Sequence, residues 1–67
     1  MLQALTVFMS SGILFAEISE YCTEHNIKTT YSYNGETELY SISFGNTTDI
    51  EITRKAFPIL NEISPKN

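Results

Sequence analysis

The alternation of apolar and polar positions is clearest over Ile27–Phe44, IKTTYSYNGETELYSISF. Two β-rich runs flank Asn34-Gly35, a dipeptide suited to a two-residue type I′ turn because both central positions need positive φ. Such a turn predicts the register: Tyr33 opposite Glu36, Tyr31 opposite Glu38, Thr29 opposite Tyr40 and Ile27 opposite Ile42. Side chains alternate faces along a strand. One face therefore carries Ile27, Tyr31, Tyr33, Tyr40, Ile42 and Phe44. The other carries Lys28, Thr30, Ser32, Thr37, Ser41 and Ser43, with Leu39 as its apolar exception. A slip of one residue would bury the serines and expose the aromatics. An isolated hairpin is marginal in water, so the flanking segments must cover its apolar face.

On the N-terminal side, Leu2–Met9 is apolar on both alternating faces, with Leu5, Val7 and Met9 on one and Ala4 and Phe8 on the other. Short apolar runs fit either a central strand or the first turns of a helix. The break at Ser10-Ser11-Gly12 favours the strand. Gly12–His25 predicts a helix, with Ser10 or Ser11 accepting a hydrogen bond from a free backbone N–H at its start. Leu14, Phe15, Ile18, Tyr21, Cys22 and His25 fall on one helical face. Glu17, Glu20 and Glu24 fall on the other. Asn26 can adopt the left-handed conformation that ends the helix.

After the hairpin, Gly45-Asn46 marks a break. Thr48-Asp49-Ile50-Glu51 matches a capping box, in which Thr48 and Glu51 satisfy each other's backbone N–H groups. Ile52, Ala56, Leu60 and Ile63 continue at helical spacing. Pro58 removes a helical hydrogen bond and clashes with the preceding turn, so the helix kinks there or restarts with Pro58 in its first turn. The alternation of Asp49–Thr53 also allows a further strand, and helix is the preferred reading. Ser64-Pro65-Lys66-Asn67 reads as a frayed tail. The expected architecture is one α+β domain over residues 1–67, in the order β-α-β-β-α, with two helices on one face of a three-stranded sheet.

Composition narrows the function classes. A chain of 67 residues has a thin core. Cys22 is the only cysteine, so no intrachain disulfide can brace it. A lone thiol fits a reducing compartment, hence the cytoplasm, and oligomerisation is a common remedy for a small core. A homodimer is therefore one expected state. The formal charge of −4, with only Lys28, Arg54, Lys55 and Lys66 as basic residues, argues against binding nucleic acid or an anionic membrane. The first sixteen residues carry no charged side chain. They lack the positive n-region of a signal peptide and fall short of a membrane span.

The candidate chemistry is sparse. Cys22 and His25 lie three apart on one helix face, close enough to touch. A zinc site wants about four ligands, and the sequence has no second cysteine or histidine. Gly12, Gly35 and Gly45 are too scattered for a phosphate loop. Asp49 and Glu51 diverge on a helix. These features predict no enzyme, no metal and no cofactor. What is left is surface. Glu17, Glu20 and Glu24 form an acidic stripe, Glu36 and Glu38 add charge near the hairpin tip, and Tyr31 and Tyr33 offer rings with hydroxyls that suit interfaces. These seven residues are the expected partner-binding set. The first expectation is a small acidic regulator or inhibitor that occupies another protein's surface, with a basic protein as the favoured partner. An exposed hairpin edge could also add a strand to a partner's sheet. The alternatives are a homo-oligomer binding a small ligand between subunits and an acidic mimic of nucleic-acid phosphates.

Overall fold

The six residues Leu39–Phe44 form β3, the middle strand of the sheet. In the computed structural model, which describes residues 5–65, the elements run β1 (Thr6–Met9), α1 (Gly12–Glu24), β2 (Thr29–Asn34), β3, α2 (Thr47–Ala56) and α3 (Leu60–Ile63). The sheet is antiparallel throughout, in the order β1-β3-β2. This is the expected β-α-β-β-α arrangement with a short third helix added. Of the Leu2–Met9 segment, Thr6–Met9 is an edge strand rather than a central one, and Leu2–Ala4 lies outside the described residues. Among the described residues, no helix is long and apolar enough to cross a membrane.

The alternation in β3 sets the two faces of the sheet. Ile42 is fully buried, flanked by Val7 of β1 and Tyr31 of β2. Val7, Met9, Ile42 and Phe44 turn inward and meet Ile18 and Cys22 of α1, Ile50 of α2 and Leu60 of α3. The predicted faces of the hairpin are therefore the observed ones. The predicted register is not. Tyr33 pairs with Tyr40, Tyr31 with Ile42 and Thr29 with Phe44. Each partner lies four residues beyond the expected one, and an even shift preserves the face of every side chain.

The cause is the turn. Asn34 Oδ1 accepts hydrogen bonds from the backbone N–H groups of Glu36 (2.8 Å) and Thr37 (3.3 Å). The Glu38 N–H closes on Asn34 O at 2.7 Å. Residues 35–38 thus form a loop in which Glu38, at φ 58°, takes the left-handed conformation and Gly35 does not. The Asn34 side chain acts as a local acceptor, and Glu36 and Glu38 leave the strand pairing altogether.

The helix boundaries follow local hydrogen bonding. Ser11 caps α1 by accepting from Leu14 N–H at 3.1 Å, and Asn26, at φ 55°, ends it in the left-handed conformation. Asp49–Thr53 is helical. The expected Thr48–Glu51 box is displaced by two residues. Asn46 Oδ1 accepts from Asp49 N–H at 2.8 Å, and Asn46 Nδ2 donates to Asp49 Oδ2 at 3.1 Å. Asn46 wins because its side chain reaches the same free donors from one position outside the helix. At Pro58 the helix restarts rather than kinks. Phe57 closes α2, and the carbonyls of Phe57, Pro58 and Ile59 accept from Leu60, Asn61 and Glu62.

The start of the expected frayed tail is anchored. Arg54 is only 5 % exposed, and its Nη1 donates to Leu60 O (3.1 Å) and Ser64 O (2.7 Å). The guanidinium thus bridges the carbonyl of the first residue of α3 and that of the residue just after it. Ser64 is itself buried, and its Oγ accepts from Phe8 N–H at 3.0 Å. Only Pro65 of that tail is exposed among the described residues; Lys66 and Asn67 lie outside them.

Two substitutions in the hairpin loop separate this turn from a type I′ turn. Gly35→Ala meets no atom within 4 Å of the added Cβ and needs no positive φ, so stability should hold or rise by up to about 1 kcal/mol. Glu38→Gly relieves a left-handed residue and should add about 0.5–1 kcal/mol net of chain entropy. Urea titrations of both variants check this. A Gly35→Ala loss above about 1 kcal/mol would mean the type I′ turn forms after all. Arg54→Met keeps the apolar stem but removes two charged hydrogen bonds and strands the Ser64 carbonyl, while Leu60 O keeps the Ser64 N–H; it should cost about 2–4 kcal/mol in the same assay.

Candidate protein-binding surface

The residues expected to bind a partner fall on two separate surfaces. Helix α1 buries Ile18 and Cys22 against the sheet. At about 100° per residue, Glu17, Glu20 and Glu24 then point to the far side of the helix, and all three are exposed. Ile13 lies in line with them, since positions 13, 17, 20 and 24 follow the i, i+4, i+7, i+11 spacing of one helical stripe. Its side chain is 78 % exposed. An isoleucine this open at the head of three carboxylates was missed from sequence, because its spacing to Glu17 was not weighed as part of the acidic stripe.

The second surface is the β2 edge. Phe15 of α1 stacks on Tyr40 at 4.7 Å and meets Tyr31 edge-on at 5.5 Å. Tyr33 leans on Tyr40 at 4.7 Å. This aromatic cluster is where helix cover runs out, and it leaves Tyr31 39 % and Tyr33 52 % exposed. Glu36 and Glu38 sit in the loop just beyond, both exposed. The structure brings Tyr31, Tyr33, Glu36 and Glu38 to one end of the hairpin. It does not bring the Glu17/Glu20/Glu24 stripe there, because the side of α1 that meets those rings is the side holding Phe15.

A third apolar region was also missed. A groove of about 380 Å³ runs between Phe8, Leu14, Leu39 and the α3 residues Ile59 and Ile63. It explains the one apolar residue on the polar face of the hairpin, since Leu39 shares that face with Phe8 and borders α3. The odd alternation at Leu39 was the available signal.

Cys22 and His25 do not form a reactive pair. His25 Nδ1 lies 2.9 Å from Tyr21 O, and its ring stacks on Tyr21 at 4.0 Å. Cys22 Sγ lies 3.9 Å from Thr53 Oγ1 inside the core. Burial pushes the thiol pKa up, contact with Thr53 offsets part of this, and the Asp49 charge adds to the rise. A protonated core thiol is a poor nucleophile. Among the described residues, no group of three or more His, Cys, Asp or Glu side chains could hold a metal ion. No family model matches the chain, nor does any curated protein or solved structure.

The raised thiol pKa gives stability a pH dependence with a defined sign. The unfolded chain loses its thiol proton near the ordinary value of 9.0, while the folded chain holds it to higher pH. Above pH 9.0 the folded state binds more protons than the unfolded state, so stability falls as pH rises. Cys22→Ala shares every other titration. The stability difference between wild type and Cys22→Ala should therefore be flat below pH 9.0 and shift against the wild type above it. A flat difference through pH 11 (about two units past the ordinary thiol value) would show that the thiol ionises freely in the fold.

Proposed function

We propose that this protein is a non-enzymatic binding domain that regulates or inhibits a partner protein by occupying a basic patch on its surface. The observation that carries this reading is the solvent-facing stripe of α1, where Ile13 leads Glu17, Glu20 and Glu24 along one line. Carboxylates spaced along a rigid helix steer a basic partner and set its orientation. An exposed aliphatic side chain beside them supplies an apolar anchor that desolvates on contact. Tyr31, Tyr33, Glu36 and Glu38 lie apart from this stripe, at one end of the hairpin. The cytoplasm as compartment belongs to the same proposal, supported by a single free cysteine held in the core.

The test uses the whole chain as an affinity bait at low and physiological salt. Wild type is compared with Glu17→Lys/Glu20→Lys/Glu24→Lys, with Ile13→Ser and with Tyr33→Ala. All five positions are exposed, so melting temperatures should stay close to wild type. Charge reversal should abolish capture of a basic partner, and Ile13→Ser should weaken it about tenfold. Tyr33→Ala should retain it. Capture that survives charge reversal of the stripe removes the assignment.

A further inference from the structure

The two edges of the sheet differ. Phe44 N–H donates to Leu5 O at 2.8 Å, so residues 44, 42 and 40 direct their backbone groups at β1. The antiparallel pattern alternates, so residues 43, 41 and 39 direct theirs at β2. With the observed register, Thr30, Ser32 and Asn34 bond to β3. The N–H and C=O groups of Thr29, Tyr31 and Tyr33 then point outward. The same alternation sends Phe8 N–H outward on β1, where Ser64 Oγ takes it. On β2 no further strand follows among the described residues.

An open edge is normally blunted by charge, proline, a bulge or a covering segment. Strand β2 reads Thr-Thr-Tyr-Ser-Tyr-Asn, without charge or proline, and pairs with β3 residue for residue without a bulge. It is therefore built as a template for another strand.

We propose that the occupant of the β2 edge is β2 of a second copy of this chain, paired antiparallel about a two-fold axis at Ser32. This register meets three conditions together. It sets the outward groups of Tyr31 against those of Tyr33 in the second copy, and the reverse, so each pair can exchange both N–H···O bonds. It places Tyr31 and Tyr33 rings across from one another on the inner face, beside the Phe15–Tyr40 stack, as cross-strand aromatic pairs. It also brings Lys28, just before β2, to the end of the second copy's strand that opens into the loop carrying Glu36 and Glu38. A two-fold at Tyr31 would instead set Lys28 against Asn34 and lose that opposite-charge match. The product is a continuous six-stranded sheet with the helices of both copies on one side, since a two-fold normal to the sheet keeps the faces aligned.

The axis makes Ser32 face its own counterpart in a non-hydrogen-bonded pair, where Cα atoms lie about 4.5 Å apart, within disulfide reach. Ser32 is exposed, so substitutions there leave the core untouched. Sedimentation equilibrium of the full chain should give a dimer at micromolar concentration. Ser32→Lys and Ser32→Glu should each raise the dissociation constant at least about tenfold, because like charges meet at the axis. Mixing the two should restore a heterodimer. With diamide as oxidant, Ser32→Cys should form an intermolecular disulfide, whereas Tyr31→Cys should not. Wild type, whose one cysteine is buried, serves as the blank. Melting temperatures of the dilute variants confirm that each monomer is folded. A wild-type monomer up to millimolar concentration overturns the proposal. So does a dimer that ignores the charges at Ser32, or one that cross-links at Tyr31 in place of Ser32.

Discussion

The structure depends on the alternation within one strand. Among the described residues β3 is the only strand with a neighbour on each side, and its inward residues Ile42 and Phe44 are both buried. Each outer strand must match that alternation or place polar side chains against Ile18 and Cys22. Val7 and Met9 do so from β1, and Tyr31 and Tyr33 do so from β2. The match is unequal. Val7 and Met9 are almost fully buried while the tyrosines are not, because the helices pack mainly over β1 and β3, and on β2 the Phe15 ring meets Tyr31 edge-on. A core this small covers two strands well and a third in part.

That constraint explains what could be read from the sequence. Face assignment comes from a period of two, and it survives any even error in register. The hairpin faces were therefore legible even though the turn was not. Asn34-Gly35 carries two competing local signals, positive φ at both positions or a side-chain acceptor for the N–H groups that follow. The second won, at the expense of a left-handed Glu38. The same competition moved the α2 cap from Thr48 to Asn46, which sits earlier and reaches Asp49 N–H with its own oxygen. In both places an asparagine side-chain oxygen took the backbone N–H groups that follow it.

Other features had no local signal at all. Arg54 reads in sequence as one of two adjacent basic residues on a helix. It becomes a structural tie only because Pro58 ends α2 and folds the chain back, so that the carbonyls of Leu60 and Ser64 arrive at its guanidinium. The candidate surfaces divide in the same way. The carboxylate stripe was visible from helical spacing, whereas the separation of that stripe from Tyr31 and Tyr33 needed the position of Phe15. Strand order is not written in the alternation, so the apolar run Leu2–Met9 read as a central strand although its Thr6–Met9 part lies at an edge.

The tie at Arg54 and the open edge at β2 are connected through the limits of a small domain. Arg54 holds the carbonyl of Ser64, the residue just after α3, and Ser64 takes the outward N–H of Phe8. One buried cation thereby supports the cap on one outward N–H of β1. A sheet with two open edges can extend without limit, because each added copy exposes a fresh template. In the proposed dimer, self-pairing through β2 is isologous and joins two copies, with both β1 edges facing outward. The Ser64 cap on β1 and the lack of charge on β2 would then be two parts of one arrangement, in which one edge is partly covered and the other left open. The pairing would also set two Ile13–Glu24 stripes on the same side of one sheet. A basic partner with two matching patches would then meet them with the effective concentration of a linked pair rather than of single sites.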